Sequence, residues 1–315
     1  MFSLPGEIIK EPLPPLSDSE KALMEQHRED VFSLSMEIGE RNMQHPEAMK
    51  KSVEWIKDRF QKAGYKPHIQ EHSVETGFLF GGETKQAHNI IAELPGTERP
   101  EDIIILGAHY DSVVGSPGAN DNATAMASLL SLAEYFADKP QPCTLRFAAF
   151  ANEEPPFFAS PQMGSYAYAR RCHENEEAIK GMIALDGLGY FDTSKGSQEY
   201  PAPGIGSIFP DTANFIGLVT RLSDGSLLKK VAKAFREKAT IPSYGGALPE
   251  MIPGIGWSDH WSFWQFNLPA IMITDTLPFR DPHYHSAGDR PERLNYDRHA
   301  RITEGLKNVL KELTE

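Results

Sequence analysis

His109 and Asp111 stand two residues apart in GAHYDSV (107–113), just after the apolar run at 103–106. In extended backbone, residues i and i+2 point the same way. The pair therefore suits an imidazole metal ligand with a carboxylate behind it that fixes the tautomer and raises its basicity. Four more fragments follow in order: GANDNA (118–123), ANEEPP (151–156), LDGLGY (185–190) and HYHSAGD (283–289). Together they offer His109, Asp121, Glu153, Glu154, Asp186 and His285, enough donors for two zinc ions and a general base.

Each fragment also has an ordinary reading. A lone HxD is commonly a loop histidine, Asp121 at the start of a helical pattern is commonly an N-cap, and two glutamates in a solvated loop are unremarkable. Position changes the balance, because most fragments follow short apolar runs, where an α/β sheet delivers side chains to its ligand-binding edge. Adjacent carboxylates such as Glu153 and Glu154 repel at a strand end unless a cation intervenes. One of them then binds metal and the other takes a proton from water. Asp186 closes the run MIALD, and a carboxylate buried there requires a positive partner. Between His283 and His285, spacing does not choose. A bridging role for Asp121 demands unusual backbone aim, so a strained or cis peptide is expected at Asp121-Asn122.

These residues need a sheet to position them. Apolar spacing predicts helices over 18–38 and 46–64, the second closing on Gly64 as a C-cap. Strand character appears at 67–75 and 87–94, and the β-branched run at 103–106 suits a strand buried on both faces. A helix over 121–136, a strand over 144–150, a helix over 162–172 and a strand over 179–185 continue a βαβ rhythm. That rhythm implies an α/β fold, a three-layer α/β/α arrangement around a mixed, mostly parallel central sheet. Helices over 211–222 and 225–239, a strand over 270–274 and a last helix over 297–313 complete the pattern.

Residues 1–16 read as a proline-rich extended arm and 17–315 as a single catalytic domain. The aperiodic stretch at 190–210 is of a length more often functional than decorative. PPFF (155–158) is expected at a cleft rim. Trp257, Trp261, Phe263 and Trp264 read either as core and cleft wall or as a substrate pocket. Asp259 is expected no nearer the metals than behind their ligands.

Charge narrows the function. With 31 Lys and Arg against 44 Asp and Glu, the net charge is −13. That argues against nucleic acid, which needs clustered cations. No apolar stretch approaches the ~20 residues of a membrane span, and the first residues show no basic region followed by an apolar one, so no signal peptide is visible. Cys143 and Cys172 could lie at one end of the sheet, as a disulfide or as two ordinary thiols.

The ordered set GAHYDSV, GANDNATAMASLL, FANEE, LDGLGY, SDHWSFW and HYHSAGD resembles the zinc-dependent exopeptidase family of bacterial leucyl aminopeptidase, glutamate carboxypeptidase and glutaminyl cyclase. The resemblance runs from about residue 85 to the C-terminus. It implies His109 and Asp186 on one zinc, Glu154 and His285 on the other, and Asp121 between them. It makes Glu153 the general base and Asp111 the partner of His109. The implied activity is that of a di-zinc aminopeptidase on peptides with a free N-terminus, with two Zn2+ per chain and a periplasmic or secreted location. A single-zinc glutaminyl cyclase shares the motifs. A non-catalytic binding module of the same fold would be marked by lost ligands, and all six residues are present.

Overall fold

The computed structural model describes residues 4–77, 82–202 and 204–315. Its strands are β1 (His68–Glu75), β2 (Thr84–Leu94), β3 (Arg99–His109), β4 (Cys143–Phe150), β5 (Ala178–Asp186), β6 (Ile216–Arg221), β7 (Ser243–Leu248) and β8 (Ala270–Thr274). They form one sheet in the order β1-β2-β4-β3-β5-β8-β6-β7. The central four, β4-β3-β5-β8, run parallel. β2 joins them antiparallel on one side and β6 on the other.

The period-2 alternation of β3 shows why this sheet is covered twice. Ile104 and Leu106 enter one apolar cluster with the helices α1 (Asp18–Phe32), α2 (Pro46–Lys62), α3 (Ala125–Phe136), α5 (Gly225–Lys238) and α7 (Tyr296–Thr314). Ile103 and Ile105 enter the other, with α4 (Gly164–Glu174) and α6 (His260–Trp264). Successive side chains of a strand point to opposite faces, so a continuous apolar run requires a layer on each.

Local signals set several boundaries. Ser17 accepts the Glu20 amide at 3.2 Å while the Glu20 carboxylate accepts the Ser17 amide at 2.7 Å, a reciprocal cap that starts α1. The helix expected to reach residue 38 ends as α1 at Phe32 and continues as a wider π-helical turn, Ser33–Ile38. The arm ahead of it is tied down by arginines. Arg236 donates to the Leu4 and Pro5 carbonyls at 2.8 and 3.2 Å, Arg301 to that of Pro14 at 2.8 Å, and Arg298 pairs with Glu11.

Two elements differ from the sequence reading. The helix expected over 211–222 is instead β6, paired with β7 and β8. A short apolar run fits either period, and tertiary pairing decides it. β7 carries no strand signal because of its glycines, yet one of them is required. A Cβ on Gly245 would lie 1.8 Å from the Leu218 carbonyl oxygen, so the two backbones meet only without it. Cys143 and Cys172 form no disulfide and are free, buried thiols. Among the described residues, no helix is long and apolar enough to cross a membrane.

Candidate metal centre

Three neighbouring parallel strands release the first donors at one edge. His109 ends β3, Asp186 ends β5, and Glu153 and Glu154 follow β4 by three and four residues. Asp121 comes from the irregular turn Ala119–Thr124 that leads into α3, and His285 from the segment between β8 and α7. The structure thus brings together all six residues singled out in the sequence.

The Asp121-Asn122 peptide is cis, as expected, and both residues leave helical geometry. Side chains hold this turn from two directions. Asp289 accepts the amides of Asn120 at 2.7 Å and Asp121 at 3.1 Å. Asn122 donates to the Leu185 carbonyl and accepts the Gly187 amide, both at 3.0 Å, which fastens the turn to the end of β5. Asn152 and His285 have φ of 57° and 55°, left-handed values sparsely populated by side-chain-bearing residues. Such conformations cluster at functional sites.

The Asp121 carboxylate divides its two oxygens. Oδ1 lies 3.3 Å from Nε2 of His109, and Oδ2 lies 3.2 Å from Nε2 of His285. Each histidine then faces a second carboxylate: Asp186 Oδ1 is 3.7 Å from His109 Nε2, and Glu154 Oε2 is 3.0 Å from His285 Nε2. Glu153 Oε2 stands 3.8 Å from His109 Nε2. Behind the histidine, Asp111 Oδ1 is 3.5 Å from His109 Nδ1, and the Asp111 backbone carbonyl is 3.2 Å from it. The Val113 amide donates to Glu154 Oε1 at 3.1 Å and aims that side chain. The Tyr284 ring stacks on His285 with centroids 3.7 Å apart.

Two buried atoms in this cluster, His109 Nε2 and Asp186 Oδ1, have no hydrogen-bond partner among the described residues. Leaving such groups unpaired in the interior is costly. A cation between them removes the cost, and the mixture of imidazole and carboxylate donors fits zinc. Ligand atoms of His109, Asp121 and Glu154 lie within 4.8 Å of one another.

The cluster's proton affinities report the same crowding of negative charge. Burial would raise the Asp121 carboxyl, but the adjacent His109 and His285 imidazoles override it and hold the group well below the usual range. Burial pushes Glu153 far up, and the nearby Asp186 and Glu154 add to that. Glu154 is pushed up to about 8 by burial and by Asp121. Burial works against a charged His285, yet Asp121 and Glu154 lift it to about 10.

Arg41 was not anticipated. It is fully buried and donates to five backbone carbonyls: Tyr110 at 2.6 Å, Leu34 at 3.3 Å, Gly39 at 3.1 Å, Pro117 at 2.6 Å and Gly118 at 2.8 Å. It thereby ties the segment after His109 to the one before Asp121. No signal in RNMQH marks this role, because the partners it ties together, Tyr110, Pro117 and Gly118, lie 69 to 77 residues away in the chain.

A cavity of about 410 Å3 opens beside the cluster. Pro155 and Phe158 of the PPFF segment and residues 198–201, 205 and 209 of the long excursion line it. Trp257 is part of its wall, whereas Phe263 and Trp264 are buried in the second apolar cluster and Trp261 lies against Tyr166. Asp259 is fully buried near the site, with neither carboxylate oxygen in a hydrogen bond among the described residues.

A model of peptidase family M28 matches residues 89–310, a span that contains all five fragments. The chain belongs to peptidase family M28. This bears out the resemblance drawn from the motifs, and with it an enzyme of the zinc metallo-exopeptidase kind acting on peptides. The Escherichia coli K12 protein YfbL is 36% identical to this M28 peptidase, over 98% of this chain and 95% of that one. Leucine aminopeptidase 1 of Emericella nidulans is 27% identical over 69% of this chain, which spans about half (54%) of that relative. The three-layer fold recurs in BSAP, a zinc aminopeptidase from Bacillus subtilis, with a TM-score of 0.71 at 16% identity over 91% of this chain and 94% of that one. It recurs also in a Fimbriiglobus ruber glutaminyl cyclase, with a TM-score of 0.68 at 16% identity over 98% of both chains.

Proposed function

We propose that this M28 peptidase is a co-catalytic di-zinc aminopeptidase. The observation that carries the reading is the charge of the cavity. Its lining includes Asp121, Glu153, Glu154, Asp186 and Glu199, and no Lys or Arg among the described residues. With Asp121, Glu154 and Asp186 given to zinc and Glu153 to the water, Glu199 remains to face a substrate's free α-amine, while a terminal carboxylate finds no side-chain cation. The leucine aminopeptidase and zinc aminopeptidase among its relatives and neighbours support the same activity.

His109 and Asp186 would hold one zinc, His285 and Glu154 the other, with one oxygen of Asp121 serving each. Bound zinc supplies Lewis-acid polarisation of the scissile carbonyl and acidifies the attacking water. Glu153, beside both sets of ligands but assigned to neither, takes the water proton and returns it to the leaving amine. Asp111 keeps the His109 ring oriented from behind.

Amino-acyl p-nitroanilides and their N-acetylated counterparts test the reading, with zinc measured per chain. Hydrolysis of the free-amine series alone, with two zinc ions bound, is the expected result. Cyclisation of N-terminal glutamine with about one zinc per chain would replace it by the glutaminyl cyclase reading.

A further inference from the structure

The cavity beside the metal ligands has two walls that share one anchor. The first is the excursion after β5, where Tyr200, Pro201, Ile205 and Phe209 line the space. The second is the turn at 277–279 after β8, whose Phe279 ring stacks on Trp257 at 6.3 Å between centroids. Neither belongs to the sheet, and the two are tied to each other through Gln198 and Arg280.

Arg280 is buried, and its Nε donates to Gln198 Oε1 at 2.9 Å and to Thr276 Oγ1 at 3.1 Å. Its Nη1 donates to the Phe215 carbonyl at 2.9 Å, and its plane lies over the Phe215 ring at 4.7 Å. Among the described residues it makes no ion pair within 4.0 Å. Gln198, buried as well, returns the bonding: its amide donates to Thr276 Oγ1 at 3.0 Å and to the Glu199 carbonyl at 2.8 Å. The Glu199 amide then donates to the Phe279 carbonyl at 2.7 Å, joining one wall to the other. A buried arginine is thus committed to fixing two loops against each other. Beyond this strut, Tyr200 and Phe209 stack at 6.0 Å, and the floor is made by Val219, Leu248 and Met272.

We propose that Gln198 and Arg280 are positioning residues for specificity, holding a preformed pocket that selects peptides whose first residue is bulky and apolar, aromatic ones included. The proposal rests on the aminopeptidase reading. The pocket is walled by aromatic and aliphatic side chains, which reward an apolar side chain by the area it buries. A small side chain leaves that area uncovered. Holding the walls before the substrate arrives spares the ordering cost that a loose loop would levy on each binding event.

The test compares wild type, Gln198→Ala and Arg280→Lys, the last keeping charge but losing the planar fork. L-phenylalaninol and L-alaninol share the amine and hydroxyl and lack a scissile bond, so the difference between their calorimetric affinities reads the side-chain pocket. Phe- and Ala-p-nitroanilide read the reaction. Wild type should bind phenylalaninol at least about tenfold more tightly than alaninol and prefer the Phe substrate by about thirtyfold or more in kcat/KM. Both variants should lose about tenfold of that preference, through KM for the Phe substrate, with kcat for the Ala substrate within about twofold and zinc content unchanged. Equal binding of the two alcohols by wild type, or an equal loss for both substrates in the variants, would overturn the proposal. Selective binding that the variants erase, with neither anilide hydrolysed, would support the pocket and sink the aminopeptidase reading.

Discussion

The Asp111 carboxylate accepts the backbone N–H of Glu153 at 3.1 Å, and its second oxygen accepts that of Glu154 at the same distance. One side chain therefore stands behind His109 and also sets the direction in which the glutamate pair leaves β4. Asp111→Asn puts an amide donor where two N–H groups and an imidazole converge. Zinc affinity or kcat should fall by about 10- to 100-fold, measured by competition with a chromogenic chelator and by initial rates.

Glu153 is buried yet lines the cavity, and its nearest approach to His109 Nε2, 3.8 Å, is longer than the 3.3 Å of Asp121. Glu153→Gln removes its proton-accepting oxygen with little change in shape. Hydrolysis should drop by about 10²- to 10⁴-fold while bound zinc and the thermal midpoint stay near wild type. Removing zinc from the wild type with a chelator should suppress activity and lower the midpoint, and adding zinc should restore both. A Glu153→Gln variant that still turns over at the wild-type rate would show that another group moves the proton.

Arg41 donates to five carbonyls, those of Tyr110, Pro117 and Gly118 lying in the segments that follow His109 and precede Asp121. Arg41→Met should destabilise the protein by about 3 kcal/mol or more, since buried polar groups left unpaired cost about 1–3 kcal/mol each. Urea denaturation measures it. Arg41→Lys keeps the charge without the fork and should fall between the two. Both variants should also bind zinc more weakly, because Gly118 directly precedes the turn that presents Asp121.

His27 and His299 are buried with ring centroids 4.1 Å apart, between α1 and α7. His299 shares a 2.8 Å hydrogen bond with Ser128, and neither ring nitrogen of His27 has a partner among the described residues. Burial lowers both, His299 to about 3, and for His27 the neighbouring His299, Lys307 and Arg59 add to the effect. The unfolded chain therefore binds protons first as pH falls below about 6.5. Stability present above that pH is lost progressively below it, by up to about 1.4 kcal/mol per pH unit for each histidine. Denaturation at pH 7, 6 and 5 reads the slope. His27→Phe keeps a ring in place and should flatten it.

Most of the sheet was legible because β3, β4 and β5 each carry an apolar run, IIIL (103–106), FAAF (147–150) and MIAL (182–185), that only a doubly covered strand accommodates. The excursion at 190–210 and the PPFF segment were also marked, one by its lack of period and the other by its place after the glutamates. β6 was misread as a helix and β7 was not seen. Apolar spacing in residues 211–222 fits two periods, and the glycines of β7 answer to a neighbouring backbone rather than to any local preference.

By itself, the sequence determined which residues could meet a metal and in what order the chain delivers them. Strand ends of a parallel sheet share one edge, so local pattern was enough to gather His109, Glu153, Glu154 and Asp186. Only the tertiary structure decided that Asp121 gives one oxygen to each histidine, that Asp111 steers both glutamates, and that Arg41 and Arg280 brace the site and its cavity. Periodicity reports the face on which a side chain lies. A hydrogen bond across seventy residues depends on how those faces pack, and no window of local sequence contains that.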